Sequence, residues 1–213
     1  MKHKYIAVEG AIGVGKTSVV TRLAERLDAA TVLEEVGQNP FLKDFYDGKG
    51  GAPFQVELFY LLSRYRQQQE LLQRHLFQQV TLSDYVFDKS KLFAYLTLDD
   101  NELLIYDKLY GLLAESVPAP DLVVYLQAPT EVLLRRIRQR GRPEEEALSE
   151  EYLAEVNRAY NHFFFHYSQT PLLVVNTSEV DFVHRDEDLE DLLKQIRGMG
   201  RGTQYYVPLA GRA

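Results

Sequence analysis

The sequence predicts an α/β fold in which a five-stranded parallel sheet is covered by helices on both faces. Short apolar runs alternate with longer segments whose apolar residues recur at helical spacing. Strands that alternate with helices in this way form parallel sheets with both faces buried. The five predicted strands are Tyr5–Glu9, Thr31–Leu33, Val80–Ser83, Leu122–Leu126 and Leu172–Val175.

The predicted helices are bounded by the glycines and prolines that interrupt the apolar periodicity. The longest pattern, Phe54–Phe77, contains neither residue type. Residues 198–213 carry four glycines and one proline, and we predict a weakly structured tail there. The other predicted helices are Thr17–Leu27, Phe41–Tyr46, Lys91–Leu98, Glu102–Ser116, Thr130–Gln139, Ser149–Tyr167 and Asp186–Arg197.

Length and composition narrow the class of protein. A chain of 213 residues with 46% hydrophobic residues fits one α/β domain, and no apolar run is long enough to cross a membrane. The N-terminus lacks the long apolar stretch of a secretory signal, so we expect a cytoplasmic protein. The net charge of −7 argues against nucleic acid as a partner, and the absence of cysteine excludes disulfides and thiolate metal sites.

A glycine-rich loop stands between the first predicted strand and the first predicted helix. Residues 10–17 read GAIGVGKT and match the P-loop pattern G-x-x-x-x-G-K-[ST] in its strand-to-helix context. Its backbone N–H groups would surround phosphate oxygens, Lys16 would reach the β and γ phosphates, and the Thr17 hydroxyl would bind Mg²⁺. The nucleotide-binding residues predicted here are Gly10, Ala11, Gly13, Val14, Gly15, Lys16, Thr17 and Ser18.

The phrase VEGAIGVGKTS resembles the opening of the deoxynucleoside kinase family, and further matches run to about residue 182. Leu33-Glu34-Glu35-Val36 is similar to the family's Glu-Pro-Val segment, which places Glu34 as the general base for the sugar 5′-hydroxyl. A carboxylate at the carboxyl edge of a parallel sheet lies where α/β proteins bind ligands. The resemblance implies a P-loop kinase domain over residues 1–197, with Mg²⁺ and ATP as the phosphoryl donor.

The predicted helix at 54–77 is similar to the family's substrate-binding region. By this match Tyr46 contacts the sugar 3′-hydroxyl. Glu57 and Arg64 are seven residues apart on one helical face, so both side chains can point into one pocket. The family commonly has glutamine at the Glu57 position. Asp88 is either a base contact that pairs with Arg64 or a plain helix N-cap.

Five arginines between 135 and 142 beside Gly141 resemble the family's arginine-rich lid, about residues 136–147. The match implies that Arg136, Arg140 and Arg142 contact phosphate and that Glu145 contacts the sugar 3′-hydroxyl. A solvated basic helix end is the alternative for any one arginine. The segment that contains Asp181 and Phe182 resembles the loop that meets the base of ATP.

The chain departs from the family at the end of the third predicted strand. The family has Asp-Arg-Ser or Glu-Arg-Ser there, and its arginine steadies the general base, whereas this chain reads Ser83-Asp84-Tyr85. Asp84 can still hold Mg²⁺ through water, but Tyr85 carries no positive charge. We hypothesise that Lys89 or Lys91 supplies the missing cation.

The predicted function is transfer of the ATP γ-phosphoryl group to the 5′-hydroxyl of a purine deoxynucleoside. An ionised Glu57 offers acceptors only and favours deoxyguanosine, and deoxyadenosine is the second choice. The alternatives are a kinase of the thymidylate kinase type, a P-loop switch without enzymatic activity, and an ATPase that binds nucleic acid, which the acidic charge opposes. The resemblance implies a homodimer.

Overall fold

The computed structural model describes residues 2–74, 80–142, 145 and 148–208, and it confirms the α/β architecture. The sheet is parallel throughout, and its strands lie in the order β2-β3-β1-β4-β5-β6. The strands are β1 (Tyr5–Glu9), β2 (Ala30–Val32), β3 (Thr81–Ser83), β4 (Leu122–Gln127), β5 (Leu172–Asn176) and β6 (Thr203–Tyr206). Every residue of β1 and β3 is buried, because helices cover both faces of the sheet.

The helices agree with the periodicity to within about two residues at most ends, which is the usual scatter of helix boundaries. The long helix is described as far as Arg74, and positions 75–77 of the predicted helix lie outside the described residues. The helices are α1 (Lys16–Leu27), α2 (Leu42–Tyr46), α3 (Ala52–Arg74), α4 (Lys89–Thr97), α5 (Asp100–Ala114), α6 (Thr130–Arg140), α7 (Glu150–Phe165) and α8 (Asp186–Gly198). None of the described helices is long and apolar enough to cross a membrane.

The prediction of five strands and a weakly structured tail was wrong in one respect. Thr203–Tyr206 forms a sixth strand that pairs in parallel with β5 and closes one edge of the sheet. The segment reads Thr-Gln-Tyr-Tyr and is mostly exposed, so it lacks the apolar run that marked the central strands. Positions 209–213 of the predicted tail lie outside the described residues.

Two hydrophobic clusters hold the parts that later carry the site. The larger cluster surrounds the central strands. The smaller one joins α3, α4 and α5, and its buried members are Leu61, Phe87, Ala94, Tyr106 and Tyr110. Because the smaller cluster fixes α3 against α4, the polar side chains that these helices carry keep a defined distance from the carboxyl edge of the sheet.

Candidate active site

The P-loop connects β1 to α1 and packs closely against its neighbours. A Cβ atom at Gly10 would come within 2.4 Å of the carbonyl oxygen of Leu126, and one at Gly13 within 2.6 Å of Ile137 Cγ1. Gly13 also has a φ of 84°, which a side chain would strain. These two glycines therefore let the loop lie against β4 and α6, as the motif requires.

Lys16 folds back over the loop. Its Nζ donates to the carbonyl oxygen of Gly10 at 2.7 Å and to that of Ala11 at 3.3 Å. Burial and the positive charge of Lys89 together lower the pKa of Lys16 to about 8, although nearby carboxylates oppose the shift. The ammonium is thus held at the mouth of the loop, where a phosphate oxygen can replace the carbonyl partners.

The buried Glu9 ties the P-loop to two other segments. Its Oε1 accepts hydrogen bonds from Gly10 N at 3.0 Å and from the Tyr160 hydroxyl at 3.1 Å. Its Oε2 accepts from Val86 N at 2.9 Å. The side chain is fully buried. Sequence reasoning assigned Glu9 only to a strand, although a carboxylate that ends a buried strand needs several partners.

Thr17 and Asp84 meet at the carboxyl edge of the sheet. The Thr17 hydroxyl donates to Asp84 Oδ2 at 2.5 Å, and Glu34 N donates to Oδ1 at 2.8 Å. A hydroxyl and one carboxylate are oxygen donors of the kind Mg²⁺ prefers, and Mg²⁺ beside a nucleotide takes most other ligands from phosphate and water. The donor set therefore fits Mg²⁺. The described residues hold no cluster of three or more His, Asp or Glu side chains that could hold a metal by itself.

Glu34 stands between two buried cations. Its Oε1 accepts from Arg64 Nε at 2.8 Å and from Arg64 Nη2 at 2.6 Å, and its Oε2 accepts from Lys89 Nζ at 2.6 Å. The side chains of Arg64 and Lys89 are 4% and 6% exposed. Burial pushes the pKa of Glu34 upwards, but the charges of Lys89 and Arg64 outweigh it and hold that pKa well below its usual range. The carboxylate is therefore ionised.

The departure at Tyr85 now has a geometric account. Tyr85 is buried, and its hydroxyl donates to Gln67 Oε1 at 2.9 Å, away from Glu34. Of the two lysines considered, Lys89 reaches Glu34, whereas the ammonium of Lys91 lies 4.9 Å from the centre of the Tyr110 ring. Lys89 thus stands where the cation is needed.

A cavity of about 500 Å³ brings most of the predicted site residues together. The P-loop residues Gly13, Lys16 and Thr17 line one side, and the aromatic residues of the helices line the other. Sequence reasoning missed these aromatic walls, because apolar periodicity does not distinguish a cavity wall from a core residue. The predicted site residues that line the cavity are Gly13, Lys16, Thr17, Glu34, Tyr46, Glu57, Arg64, Asp84, Arg140, Arg142 and Glu145, and the missed aromatic ones are Phe45, Tyr60, Phe93 and Tyr152.

Glu57 projects into this cavity from α3. Its side chain is 3% exposed, and within the described part of the chain its Oε2 has no hydrogen-bond partner. Burial raises the pKa of Glu57 to about 7; Arg64 opposes the shift and Glu34 adds to it. A buried polar atom without a partner is costly, so this oxygen indicates where a ligand would donate a hydrogen bond.

The lid residues that the structure describes divide into two groups. Arg140 and Glu145 form a bidentate ion pair, with Nη2 2.5 Å from Oε1, and both residues line the cavity together with Arg142. Arg136 is placed differently from the prediction. Its guanidinium donates to the carbonyl oxygens of Val14, Thr177 and Val180, so it holds α6 against the P-loop and the loop after β5, outside the cavity. Positions 143, 144, 146 and 147 of the predicted lid lie outside the described residues.

Three other predicted residues lie away from the cavity. Asp88 accepts from the Tyr110 hydroxyl at 2.5 Å and caps no backbone N–H, so it neither pairs with Arg64 nor caps α4 by its side chain. Asp181 accepts from the backbone N–H groups of residues 183 and 184, and the Phe182 side chain is buried in the larger cluster. Contact of this loop with the base of ATP stays a prediction.

Comparison with known proteins agrees with this geometry. The family model described as deoxynucleoside kinase matches residues 6–199. Deoxyguanosine kinase of Bacillus subtilis (strain 168) is 33% identical over 198 residues, which cover 91% of this chain and 96% of that protein. Deoxyadenosine kinase of Dictyostelium discoideum is 36% identical over 215 residues, 99% of this chain and 86% of that protein.

A solved structure shares the fold. The structure of deoxyadenosine kinase from M. mycoides with dCMP and a flexible dCDP bound superposes with a TM-score of 0.79 at 22% identity, and the match covers 91% of this chain and 99% of that one. At this identity the likeness supports the fold alone.

Proposed function

Since the chain belongs to the deoxynucleoside kinase family, we propose that it transfers the γ-phosphoryl group of ATP to the 5′-hydroxyl of a purine deoxynucleoside. The observation that carries the proposal is one cavity that is lined both by P-loop residues and by the carboxyl groups of Glu34 and Glu57. In this proposal the P-loop binds the triphosphate, Glu34 accepts a hydrogen bond from the 5′-hydroxyl, and Glu57 contacts the base.

The hydrogen bonds of Glu34 leave room for the attacking hydroxyl. A carboxylate has about four acceptor positions. Arg64 occupies two on Oε1, and Lys89 occupies one on Oε2. The remaining position on Oε2 can accept the substrate 5′-hydroxyl and orient its oxygen towards the P-loop. Because phosphoryl transfer depends mainly on positioning, an ionised acceptor of low basicity suits this role, and it takes the proton late in the reaction.

Cations line the path of the transferring group. Lys16 would bind the β and γ phosphates, and Arg140 and Arg142 line the same cavity. Thr17 and Asp84 are the residues that would hold Mg²⁺, which supplies charge neutralisation to the phosphates. Arg140 would exchange its partner Glu145 for phosphate, which frees Glu145 for the sugar 3′-hydroxyl.

The two purine deoxynucleosides remain the proposed substrates because Glu57 is the group that meets the base. The two relatives described above have names for these same two substrates: one is a deoxyguanosine kinase and the other is a deoxyadenosine kinase. The aromatic cavity walls offer flat surfaces on which a purine ring can stack.

The test is phosphorylation of the four deoxynucleosides with Mg²⁺-ATP, followed by chromatography of the products. We expect deoxyguanosine and deoxyadenosine 5′-monophosphates, and a Glu34→Gln variant that folds but turns over at least about 100-fold more slowly. Thymidine as the preferred substrate would overturn the purine assignment. Phosphorylation confined to nucleoside monophosphates would overturn the reaction.

We also propose that the chain forms a homodimer through α3 and α5. Leu104, Ile105 and Leu112 on α5 are 60%, 53% and 72% exposed, and Leu62 on α3 is 50% exposed. Exposed apolar side chains of this size on two helices that contact each other indicate an interaction site. Sedimentation at micromolar concentration tests the proposal: Leu112→Glu should shift the dimer towards monomer, and a wild-type monomer would contradict it.

A further inference from the structure

Glu57 has an environment that differs from that of every other carboxyl group in the cavity. Glu34, Glu35, Asp84 and Glu145 each accept hydrogen bonds from named donors, whereas Oε2 of Glu57 accepts none within the described chain. The side chain is buried and faces the space that a base would fill. Its proton state is therefore not fixed by the protein alone.

The charged groups around Glu57 are committed elsewhere. Arg64, on the same helix, donates to Glu34 and to the Ser90 hydroxyl, and Lys89 from α4 donates to Glu34. The other charged or titratable groups near Glu57 are the carboxylate of Glu34, the Tyr60 phenol on α3, the Tyr106 phenol from α5 and the Tyr152 phenol from α7, with the Thr97 hydroxyl from α4 beside it.

This balance leaves both proton states of Glu57 accessible near neutral pH. Burial raises its pKa to about 7. An isolated buried carboxylate is unfavourable, so a carboxyl without an ion pair of its own responds to what binds it. A ligand that offers two donors stabilises the ionised form, and a ligand that offers a donor and an acceptor stabilises the protonated form.

Guanine and adenine differ in the hydrogen-bond donors and acceptors that they present. On its N1–C2 side guanine presents N1–H and the 2-amino group, which are two donors, while adenine has no 2-amino group and presents its 6-amino donor beside the acceptor N1. An ionised carboxylate has acceptors only, and a protonated carboxyl group has one donor and one acceptor. We propose that the proton on Glu57 selects the base: the ionised side chain takes guanine, and the protonated side chain takes adenine. This inference rests on the proposed deoxynucleoside kinase activity.

The test is the ratio of kcat/KM for deoxyguanosine to kcat/KM for deoxyadenosine between pH 6 and pH 8, with the wild-type enzyme and saturating Mg²⁺-ATP. Ionisations that affect both reactions equally, such as that of Lys16, cancel in the ratio. Because the two bases select opposite proton states, the ratio should rise about tenfold per pH unit, or roughly 100-fold over the range.

Two variants on α3 make the assignment specific. Glu57→Gln keeps one donor and one acceptor at every pH, so its ratio should be flat and should favour deoxyadenosine. Glu70→Gln makes the same chemical change at an exposed position of the helix outside the cavity, and its ratio should rise as the wild-type ratio does.

The outcomes separate the two proposals. Phosphorylation of both substrates with a pH-independent wild-type ratio overturns the role of the Glu57 proton and leaves the kinase activity in place. A slope that persists in Glu57→Gln also overturns it, because another group must then titrate. Absence of phosphorylation of any deoxynucleoside overturns the proposed function and this inference together.

Discussion

Replacement of Lys89 by Met tests whether this lysine supplies the cation that the sequence lacks at Tyr85. Met retains most of the apolar stem of the side chain and removes the charge, which lies 2.6 Å from Glu34 Oε2. Arg64 stays on the other carboxylate oxygen, so Glu34 keeps one ion pair and loses the second. The oxygen that would orient the 5′-hydroxyl is the one set free.

The size of the effect follows from this geometry. Removal of one partner of a buried ion pair costs about 3–5 kcal/mol when it leaves the other charge alone. Arg64 still neutralises Glu34, which places the expected loss near the lower limit, about 3 kcal/mol. If that loss appears in the transition state, turnover falls roughly 100-fold. Because Lys89 does not contact the P-loop, the KM for ATP should change by less than about threefold.

Steady-state kinetics with Lys89→Met and Lys91→Met, each checked for a folded circular dichroism spectrum, measures this effect. Lys91 is two residues beyond Lys89 on α4 and lies against the Tyr110 ring, so the second variant is a matched charge loss and should turn over within about threefold of wild type. Equal losses in both variants, or a kcat for Lys89→Met close to wild type, would refute the reasoning.

Three further predictions concern the P-loop. Because the pKa of Lys16 is about 8, its positive charge is present below this pH and lost above it, so kcat/KM for ATP should fall as the pH rises past about 8. A Lys16→Arg variant should be slower but should not show this fall. If the fall persists in Lys16→Arg, another group causes it. Gly13→Ala should lower the free energy of unfolding by about 2–3 kcal/mol, because the new Cβ meets Ile137. At Gly15 the new Cβ meets no other atom, so Gly15→Ala should lower that free energy by only about 1 kcal/mol. Equal urea midpoints for the two variants would contradict the packing argument. Glu9→Ala leaves three buried donors without their acceptor and should cost about 3–5 kcal/mol, more than Glu9→Gln, in the same denaturation assay.

The parts of the fold that could be predicted are those that short sequence patterns determine. The P-loop follows from one spacing in one strand-to-helix context, and the central strands follow from their apolar runs. Strand β6 could not be found in this way, because a polar edge strand is exposed and only its pairing with β5 makes it a strand. The long helix α3 was predicted from the absence of Gly and Pro over 54–77, but it begins two residues earlier and holds Pro53 in its first turn, where proline is tolerated.

Partners across the cavity could not be read from the same patterns. Arg64 and Glu57 share a helical face, which placed both in the cavity, but spacing does not show that Arg64 would bind Glu34 instead of a base. Arg136 and Arg140 lie four residues apart, yet Arg136 donates to the carbonyl oxygens of a loop about forty residues away. Such pairings depend on tertiary contacts, which local periodicity does not encode.

The carboxyl groups of Glu34 and Glu57 show how one cavity can shift the pKa values of two carboxyl groups in opposite directions. Glu34 and Glu57 both lose hydration, and burial acts in the same direction on the pKa of each. The difference lies in the hydrogen bonds of the cations, since Arg64 and Lys89 both bind Glu34 and the described residues place no cation in direct contact with Glu57. Pairs of titratable groups whose pKa values are shifted in opposite directions are typical of sites where one group acts on the reacting atoms and another responds to the ligand. The same two cations that keep Glu34 ionised for the hydroxyl therefore leave Glu57 free to follow the base.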